Sequence, residues 1–126
     1  MRVLIDSSVW IDFFRRTSPA NRLPSLLTED LAVVNELVMA EIVPALKVKR
    51  DKKTIALLEL LISYPINIDW NEIIDLQARF VKEFKYFAGI ADLIIFQNAC
   101  QNDLVMYSFD RDMIGLCKLN KHSFLE

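Results

Sequence analysis

The chain has 126 residues, of which 53% are hydrophobic and 25% are charged, and its net charge is −2. This length and apolar content favour one compact domain, residues 1–126, and the negative charge is unlike that of a protein that coats nucleic acid. No apolar run reaches the roughly 18 residues of a membrane span, and Asp6 and Asp12 interrupt the apolar stretch that a signal peptide would need. We therefore expect a cytoplasmic protein with no membrane partner.

Short apolar runs alternate with helical patterns along the chain. In order, the first half predicts a strand at 3–5, a helix from Ser7, a polar break at 17–21, a helix at 22–27, a strand at 31–34 and a helix at 36–47. The second half predicts helices at 54–62, 70–87 and 90–102, a last short helix through residue 118, and strands at 66–68, 104–107 and 123–125. Pro44 should kink or restart its helix. Strands separated by helices predict an α/β fold with a parallel sheet.

Several kinds of site are disfavoured by what the sequence lacks. Cys100 and Cys117 both lie in helical patterns, so we expect small buried side chains rather than a disulfide framework. The single histidine, His122, lies near the end of the chain and gives little support to a zinc site or a histidine-based triad. No glycine-rich phosphate-binding motif is present. Carboxylates are the remaining candidates for chemistry.

Two acids follow predicted strands. Asp6 comes directly after the strand at 3–5, and Asp110 comes shortly after the strand at 104–107. Because the carboxyl ends of parallel strands meet at one edge of a sheet, we expect these side chains to lie close together. Each acid could instead cap the helix that follows it.

Two further acids lie on predicted helices. At helical spacing, Glu41 falls in line with apolar residues, namely Leu37, Ala45 and Val48. Asp92 shares a stripe with Ile95, Phe96 and Ala99, although an acid in the first turn of a helix is also common without any site. A carboxylate in an apolar stripe is costly unless it is paired or binds a metal. Clustered oxygen ligands without Cys or His favour Mg²⁺ or Mn²⁺.

Four segments resemble the motifs of PIN-domain nucleases, in chain order LIDSSVWIDFF, LVMAEI, GIADLIIFQNA and MYSFDRDM. They span nearly the whole chain, and the likeness is greatest to the VapC-type toxins of prokaryotic toxin–antitoxin pairs. The first motif is quite specific and the second is loose. The resemblance implies a PIN-like three-layer α/β sandwich, in which a central, mostly parallel sheet carries helices on both faces.

The resemblance also implies a site and a reaction. The metal-binding and catalytic acids would be Asp6, Glu41, Asp92 and Asp110. They would bind Mg²⁺, with Mn²⁺ as a substitute, and activate water for hydrolysis of RNA phosphodiester bonds. Ser8 and Ser108 match supporting hydroxyl positions, and Asp112 could share or replace the role of Asp110. Pro44, close after Glu41, departs from the family pattern.

Three interaction surfaces are expected. The basic residues Lys49, Arg50 and Lys52 could contact the RNA backbone, although most such runs are solvated helix ends. The apolar content of the helices at 54–62 and 70–87 favours a homodimer. An antitoxin helix could dock on the aromatic residues of the first helix, Trp10, Phe13 and Phe14, if Trp10 is partly exposed.

Two other functions remain open from the sequence. A catalytically inactive PIN-like binding module would keep the fold and only engage a partner, but all four acids are present. A phosphohydrolase could use Asp6 as a covalent nucleophile. Haloacid-dehalogenase-like enzymes carry a second Asp two residues later, however, where this chain has Ser8.

Overall fold

The computed structural model describes residues 1–16, 18 and 21–126. Most of the polar break expected at 17–21 therefore lies outside the described residues. The described part contains no helix that is both long and apolar enough to cross a membrane.

A small parallel sheet forms the centre of the fold. Its strands are β1 (Val3–Ile5), β2 (Ala32–Val33) and β3 (Val105–Tyr107), in the order β2-β1-β3. Leu4 pairs with Val33 on one side and with Met106 on the other. All three residues of β1 are fully buried, as expected for a central strand covered on both faces. The parallel α/β prediction is confirmed.

Neither of the two short strands predicted at 66–68 and 123–125 forms as a full strand. No strand forms at 66–68, so this prediction is wrong; instead, Ser63 forms a single parallel bridge with Val34. The tail extends the other edge of the sheet by one bridge, between Phe124 and Met106, rather than by a full strand at 123–125. A few apolar residues beside Pro65 are too short a pattern to distinguish a strand from an extended segment.

Seven helices surround the sheet among the described residues. They are α1 (Ser7–Arg15), α2 (Leu23–Thr28), α3 (Glu36–Val48), α4 (Lys52–Glu59), α5 (Trp70–Phe84), α6 (Ile90–Gln101) and α7 (Arg111–Leu119). The helix predicted at 54–62 begins earlier, because Asp51 caps it through the Thr54 amide, and it also ends earlier, at Glu59. α5 ends three residues before the predicted boundary, where Lys85 has a φ of 67°. Pro44 does not restart α3, which continues through it.

Two expectations about burial are wrong. Trp10 is only 2% exposed and belongs to the core, so it cannot be the partly exposed docking residue expected from the sequence. Cys100 is exposed, whereas Cys117 is buried as predicted, and both are free thiols. The spacing of aromatic residues on α1 identified a helix face but could not tell which part of it the rest of the fold covers.

Candidate metal centre

Asp6 lies where β1 ends and α1 begins, and it is only 2% exposed. Although it is at the N-cap position, its side chain makes no capping hydrogen bond. Its Oδ2 atom accepts hydrogen bonds from the hydroxyls of Ser108, at 2.6 Å, and Ser8, at 3.1 Å. Its Oδ1 atom is buried and has no hydrogen-bond partner within the described part of the chain. Two hydroxyls therefore hold Oδ2 of Asp6 in place, while Oδ1 has no hydrogen-bond donor among the described residues.

Ser8 and Ser108 join the ends of two parallel strands. The Ser8 hydroxyl accepts a hydrogen bond from the Phe109 amide at 3.0 Å, and the Ser108 hydroxyl accepts one from the Asp110 amide at 2.9 Å. Both hydroxyls donate to Asp6. The segment after β3 is thus tied directly to Asp6 at the carboxyl edge of the sheet, which supports the positions that the resemblance assigned to these serines.

Asp92, Asp110 and Asp112 form a compact group of carboxylates. One oxygen from each lies within 4.8 Å of the others. Asp110 caps α7, because its Oδ1 atom accepts hydrogen bonds from the amides of Asp112, at 2.7 Å, and Met113, at 3.3 Å. The capping alternative for Asp110 is therefore correct, and it leaves Oδ2 for another ligand. Asp112 joins the group, as the resemblance allowed.

The electrostatics link these acids to Asp6 and Glu41. Burial raises the pKa of Asp92 most, followed by the charges of Asp110, Asp6, Glu41 and Asp112 in that order, and together they raise it from 3.8 to about 7. Burial also raises the pKa of Asp6, against the lowering effect of its hydrogen bonds from Ser108 and Ser8. Carboxylates that raise one another's pKa in this way are stabilised when a cation lies between them.

Glu41 reaches this group for a different reason from the one predicted. The residues in line with it are not a buried stripe: Ala45 is exposed and Val48 is 85% exposed. The buried face of α3 is formed by Val38, Ile42 and Leu46. Partial burial nevertheless raises the pKa of Glu41, followed by the charge of Asp6, while a hydrogen bond with Ser7 lowers it. Glu41 therefore lies at the open side of the site.

Glu36, the other acid on α3, has a separate role. Its Oε1 atom accepts a hydrogen bond from the Ile66 amide at 3.2 Å, which ties the start of α3 to the extended segment before α5. The choice of Glu41 over Glu36 as the site acid is consistent with this geometry.

The five acids fit a divalent metal better than a network of ion pairs. Among the described residues, the only basic group in an ion pair with any of them is Arg111, whose Nε lies 3.8 Å from Asp112 on a side chain that is 86% exposed. A buried, unpartnered oxygen on Asp6 and three carboxylates within 4.8 Å provide hard oxygen ligands. Mg²⁺ and Mn²⁺ suit such a set, and zinc does not, because no His or Cys takes part.

A buried pair of amides fixes the two helices that carry Glu41 and Asp92. Asn35 caps α3 by accepting from the Val38 amide at 2.8 Å, and it donates to Asn98 of α6 at 3.0 Å. Asn98 in turn donates to the carbonyl of Pro65 at 3.0 Å. The sequence analysis missed both residues, although an Asn directly before a helix is an N-cap signal and a polar residue in an apolar helix indicates a buried network.

The basic and aromatic residues predicted to bind partners lie on α1 and around the junction of α3 and α4. Lys49, Arg50 and Lys52 are exposed at the junction of α3 and α4, and no ion pair joins them to the site acids within the described residues. Phe13 and Phe14 are half-buried and line a groove of about 780 Å³ together with Leu46 and Leu57. None of the five site acids lines this groove.

Comparisons with known proteins agree with this architecture. The sequence model of the PIN domain family matches residues 3–119. No curated protein sequence matches the chain. The chain is similar to the crystal structure of FitAcB from Neisseria gonorrhoeae, with a TM-score of 0.68 and 19% identity over 98% of this chain and 96% of that one.

Two further solved structures share the fold. The structure of VapBC2 from Rickettsia felis, bound to a DNA fragment from its promoter, gives a TM-score of 0.73 and 12% identity over 99% of this chain and 98% of that chain. The structure of VapBC-1 from nontypeable Haemophilus influenzae gives a TM-score of 0.68 and 15% identity over 100% of this chain and 98% of that chain. At these identities the structures show the fold alone, whereas the family match spans nearly the whole sequence. The chain belongs to the PIN domain family.

Proposed function

We propose that this protein is a metal-dependent endoribonuclease and the toxin of a toxin–antitoxin pair. PIN domains are nucleases that use divalent metals, and the chain belongs to that family. The observation that carries the proposal is Asp6: a buried carboxylate with one oxygen held by two serines and the other without a partner. Buried carboxylate oxygens in folded proteins are generally hydrogen-bonded, so an unpartnered one indicates a missing ligand.

The residues divide the chemistry among them. Asp6, Asp92 and Asp110, with Asp112 beside them, would hold the metal, and Glu41 would complete the site from its open side. The bound ion would lower the pKa of water and offset the charge that develops on the phosphoryl oxygens. Because its pKa is raised and its side chain is exposed, Glu41 is suited to orient the attacking water and accept its proton. The water oxygen bonds to phosphorus as the bond from phosphorus to the leaving ribose oxygen breaks, and that oxygen takes up a proton from solvent.

The substrate proposed is single-stranded RNA. The exposed basic residues Lys49, Arg50 and Lys52 would contact its phosphates and add affinity without taking part in the reaction. A net charge of −2 for the whole chain does not contradict this, since the acids of the site account for much of the negative charge and a bound metal would offset part of it.

The proposed partner is an antitoxin protein. A similar structure is a toxin–antitoxin complex from Klebsiella pneumoniae, with a TM-score of 0.60 and 20% identity over 90% of this chain and 91% of that chain. The groove that includes Phe13 and Phe14 would accept the apolar side of an antitoxin helix. An arginine from the same antitoxin could then enter the acid cluster in place of the metal, because its planar guanidinium pairs with carboxylates through two hydrogen bonds.

We further propose a cytoplasmic homodimer. Apolar side chains remain exposed in both of the segments expected at the dimer interface, including Leu60 and Ile62 after α4 and Trp70 and Ile74 on α5. A second copy of the chain would cover them.

The test is cleavage of a labelled single-stranded RNA by the purified protein. We expect cleavage with Mg²⁺ or Mn²⁺, none with EDTA, and none of a DNA of the same sequence. Replacing Asp92 with Asn should remove the activity while circular dichroism shows the fold retained. Cleavage that continues undiminished in EDTA would rule out the proposed mechanism.

A further inference from the structure

Asp112 is held by a side chain from a different segment of the chain. The hydroxyl of Tyr86, which lies between α5 and α6, donates a hydrogen bond to Asp112 Oδ1. Arg111 Nε approaches the same oxygen at 3.8 Å, but an ion pair from so exposed a side chain contributes little. Tyr86 is therefore the main contact that orients the Asp112 carboxylate.

Tyr86 is 37% exposed, and its ring is held from the side that faces the core. It packs edge-on against Phe80, with the ring centroids 5.4 Å apart, and Phe80 is fully buried in the core. The guanidinium carbon of Arg111 lies 5.5 Å from the centre of the Tyr86 ring. The hydroxyl is thus presented from an anchored side chain.

The segment that carries Tyr86 is also tied to α5. Gln77 donates to the Ala88 carbonyl at 2.7 Å and accepts from the Ala88 amide at 3.1 Å. This pair of hydrogen bonds to one residue holds the chain between α5 and α6 close to the helix. Tyr86, two residues before Ala88, therefore has a defined backbone from which to reach Asp112.

We propose that Tyr86 is a positioning residue of the metal site and acts through Asp112. This inference rests on the proposed function. Asp112 Oδ1 is engaged by Tyr86, just as Asp110 Oδ1 is engaged by the start of α7, and one oxygen of each acid lies within 4.8 Å of the other and of an Asp92 oxygen. Without the hydroxyl, repulsion from Asp92 and Asp110 would turn the Asp112 carboxylate towards solvent.

The first test is Mn²⁺ binding to the metal-free protein, measured by isothermal titration calorimetry. Tyr86→Phe removes only the hydroxyl and keeps the ring contacts with Phe80 and Arg111. We expect it to weaken Mn²⁺ binding roughly 10-fold, which is the usual effect of losing an outer contact to a metal ligand. The matched control is Tyr64→Phe. In the wild type the Tyr64 hydroxyl accepts a hydrogen bond from Arg2 at 2.9 Å, and its loss should leave Mn²⁺ binding unchanged.

A double-mutant cycle identifies the route of the effect. If Tyr86 acts through Asp112, adding Tyr86→Phe to Asp112→Asn should change Mn²⁺ affinity less than about 2-fold. An equal loss in both backgrounds would show that the hydroxyl acts elsewhere and would overturn the inference. Unchanged Mn²⁺ affinity in Tyr86→Phe alone would overturn it as well.

The wild-type protein supplies a readout that does not depend on the folding of a variant. With ¹³C-labelled tyrosine, the Cζ resonance of Tyr86 should shift on addition of Mg²⁺, while that of Tyr64 should not. A Tyr86 Cζ resonance whose chemical shift does not change on addition of Mg²⁺ would contradict the inference. The proposed function fails separately, if wild-type protein binds no Mn²⁺ or if Asp6→Asn binds it as well as wild type.

Discussion

Asp92 shows most clearly how a group of neighbouring acids changes the pKa of one carboxyl. Its pKa of about 7 results from burial first and from four neighbouring carboxylates second. In the metal-free protein this is a cost to folding, because the folded chain must either keep a proton on Asp92 or hold its charge beside the others. The same features favour a bound cation.

The pH dependence of stability follows from this pKa. The unfolded chain releases the Asp92 proton near pH 3.8, whereas the folded chain keeps it up to about pH 7. Over that interval the folded state binds more protons, so the contribution of Asp92 to the free energy of unfolding falls as pH rises. In EDTA, Asp92→Asn should therefore melt at a higher temperature than the wild type at pH 8, with a smaller difference at pH 5.

Thermal denaturation followed by circular dichroism measures this difference. Asp103→Asn is the matched control, because Asp103 is exposed and lies before β3, whereas Asp110 lies after the other end of the same strand. It should melt like the wild type at both pH values. A variant at Asp92 that is no more stable than the wild type at pH 8 would show that burial and the neighbouring acids do not raise the pKa of Asp92 as described.

Two glutamates on α3 provide a direct comparison of site and non-site acids. Glu41→Gln should lower the rate of RNA cleavage about 100-fold or more, because it removes the group proposed to accept the proton of water. Glu36→Gln should retain activity, since its side-chain oxygen can still accept from the Ile66 amide. Rates under single-turnover conditions separate the two. Equal rates for both variants would remove Glu41 from the chemistry.

At the scale of elements, the carboxyl edge of the parallel sheet brings the acids together. β1 leads into Asp6, β3 leads into Ser108 and Asp110, and the hydroxyl of Ser108 donates a hydrogen bond directly to Asp6. α3 and α6 add Glu41 and Asp92 from the side. The site therefore depends on the pairing of β1 with β3 as much as on the acids themselves.

Much of this arrangement was predictable from the sequence, and the reasons differ by element. Strand-ending acids such as Asp6 could be placed because parallel topology fixes where strands end. The surroundings of Glu41 could not, because helical spacing gives a face but not what covers it. The burial of Trp10 and the contact between Tyr86 and Asp112 depend on packing between distant segments, which leaves no local pattern.

The junction between α3 and α4 has its own prediction. If Lys49, Arg50 and Lys52 contact RNA phosphates, replacing all three with Ala should flatten the salt dependence of binding by about 0.7 per lost contact. Fluorescence anisotropy in the inactive Asp92→Asn background measures binding without cleavage. Lys118→Ala, exposed near the end of α7, should leave the slope unchanged. An unchanged slope in the triple variant would make this run a solvated helix end.

At the scale of the whole molecule, exposed apolar surface remains on the side formed by α5 and the start of α6. A groove of about 620 Å³ is lined by Trp70, Ile74, Phe87 and Ile90. These side chains are all exposed, and Ile74 is 63% exposed in the middle of the helix. Such a patch is larger than scattered single residues would give and is typical of an interface.

Sedimentation at micromolar concentration tests the homodimer. We expect twice the chain mass of 14.6 kDa for the wild type. Ile74→Lys and Leu60→Lys should each shift the protein towards the monomer, because they place a charge on apolar surface that a second copy would cover. Val48→Lys, at a position on α3 that is even more exposed, should remain dimeric. A wild-type protein that sediments only as a monomer would contradict the prediction.

The most direct test of the central claim is Mg²⁺-dependent RNA cleavage by Asp6→Asn beside the wild type. The substitution keeps the size of the side chain and an oxygen for the serine hydroxyls, but it removes the charge of the buried, unpartnered carboxylate. We predict that nearly all cleavage is lost while the fold remains intact. Full activity in Asp6→Asn, with no change in the Mg²⁺ requirement, would show that the carboxyl edge of this sheet is not the catalytic metal site.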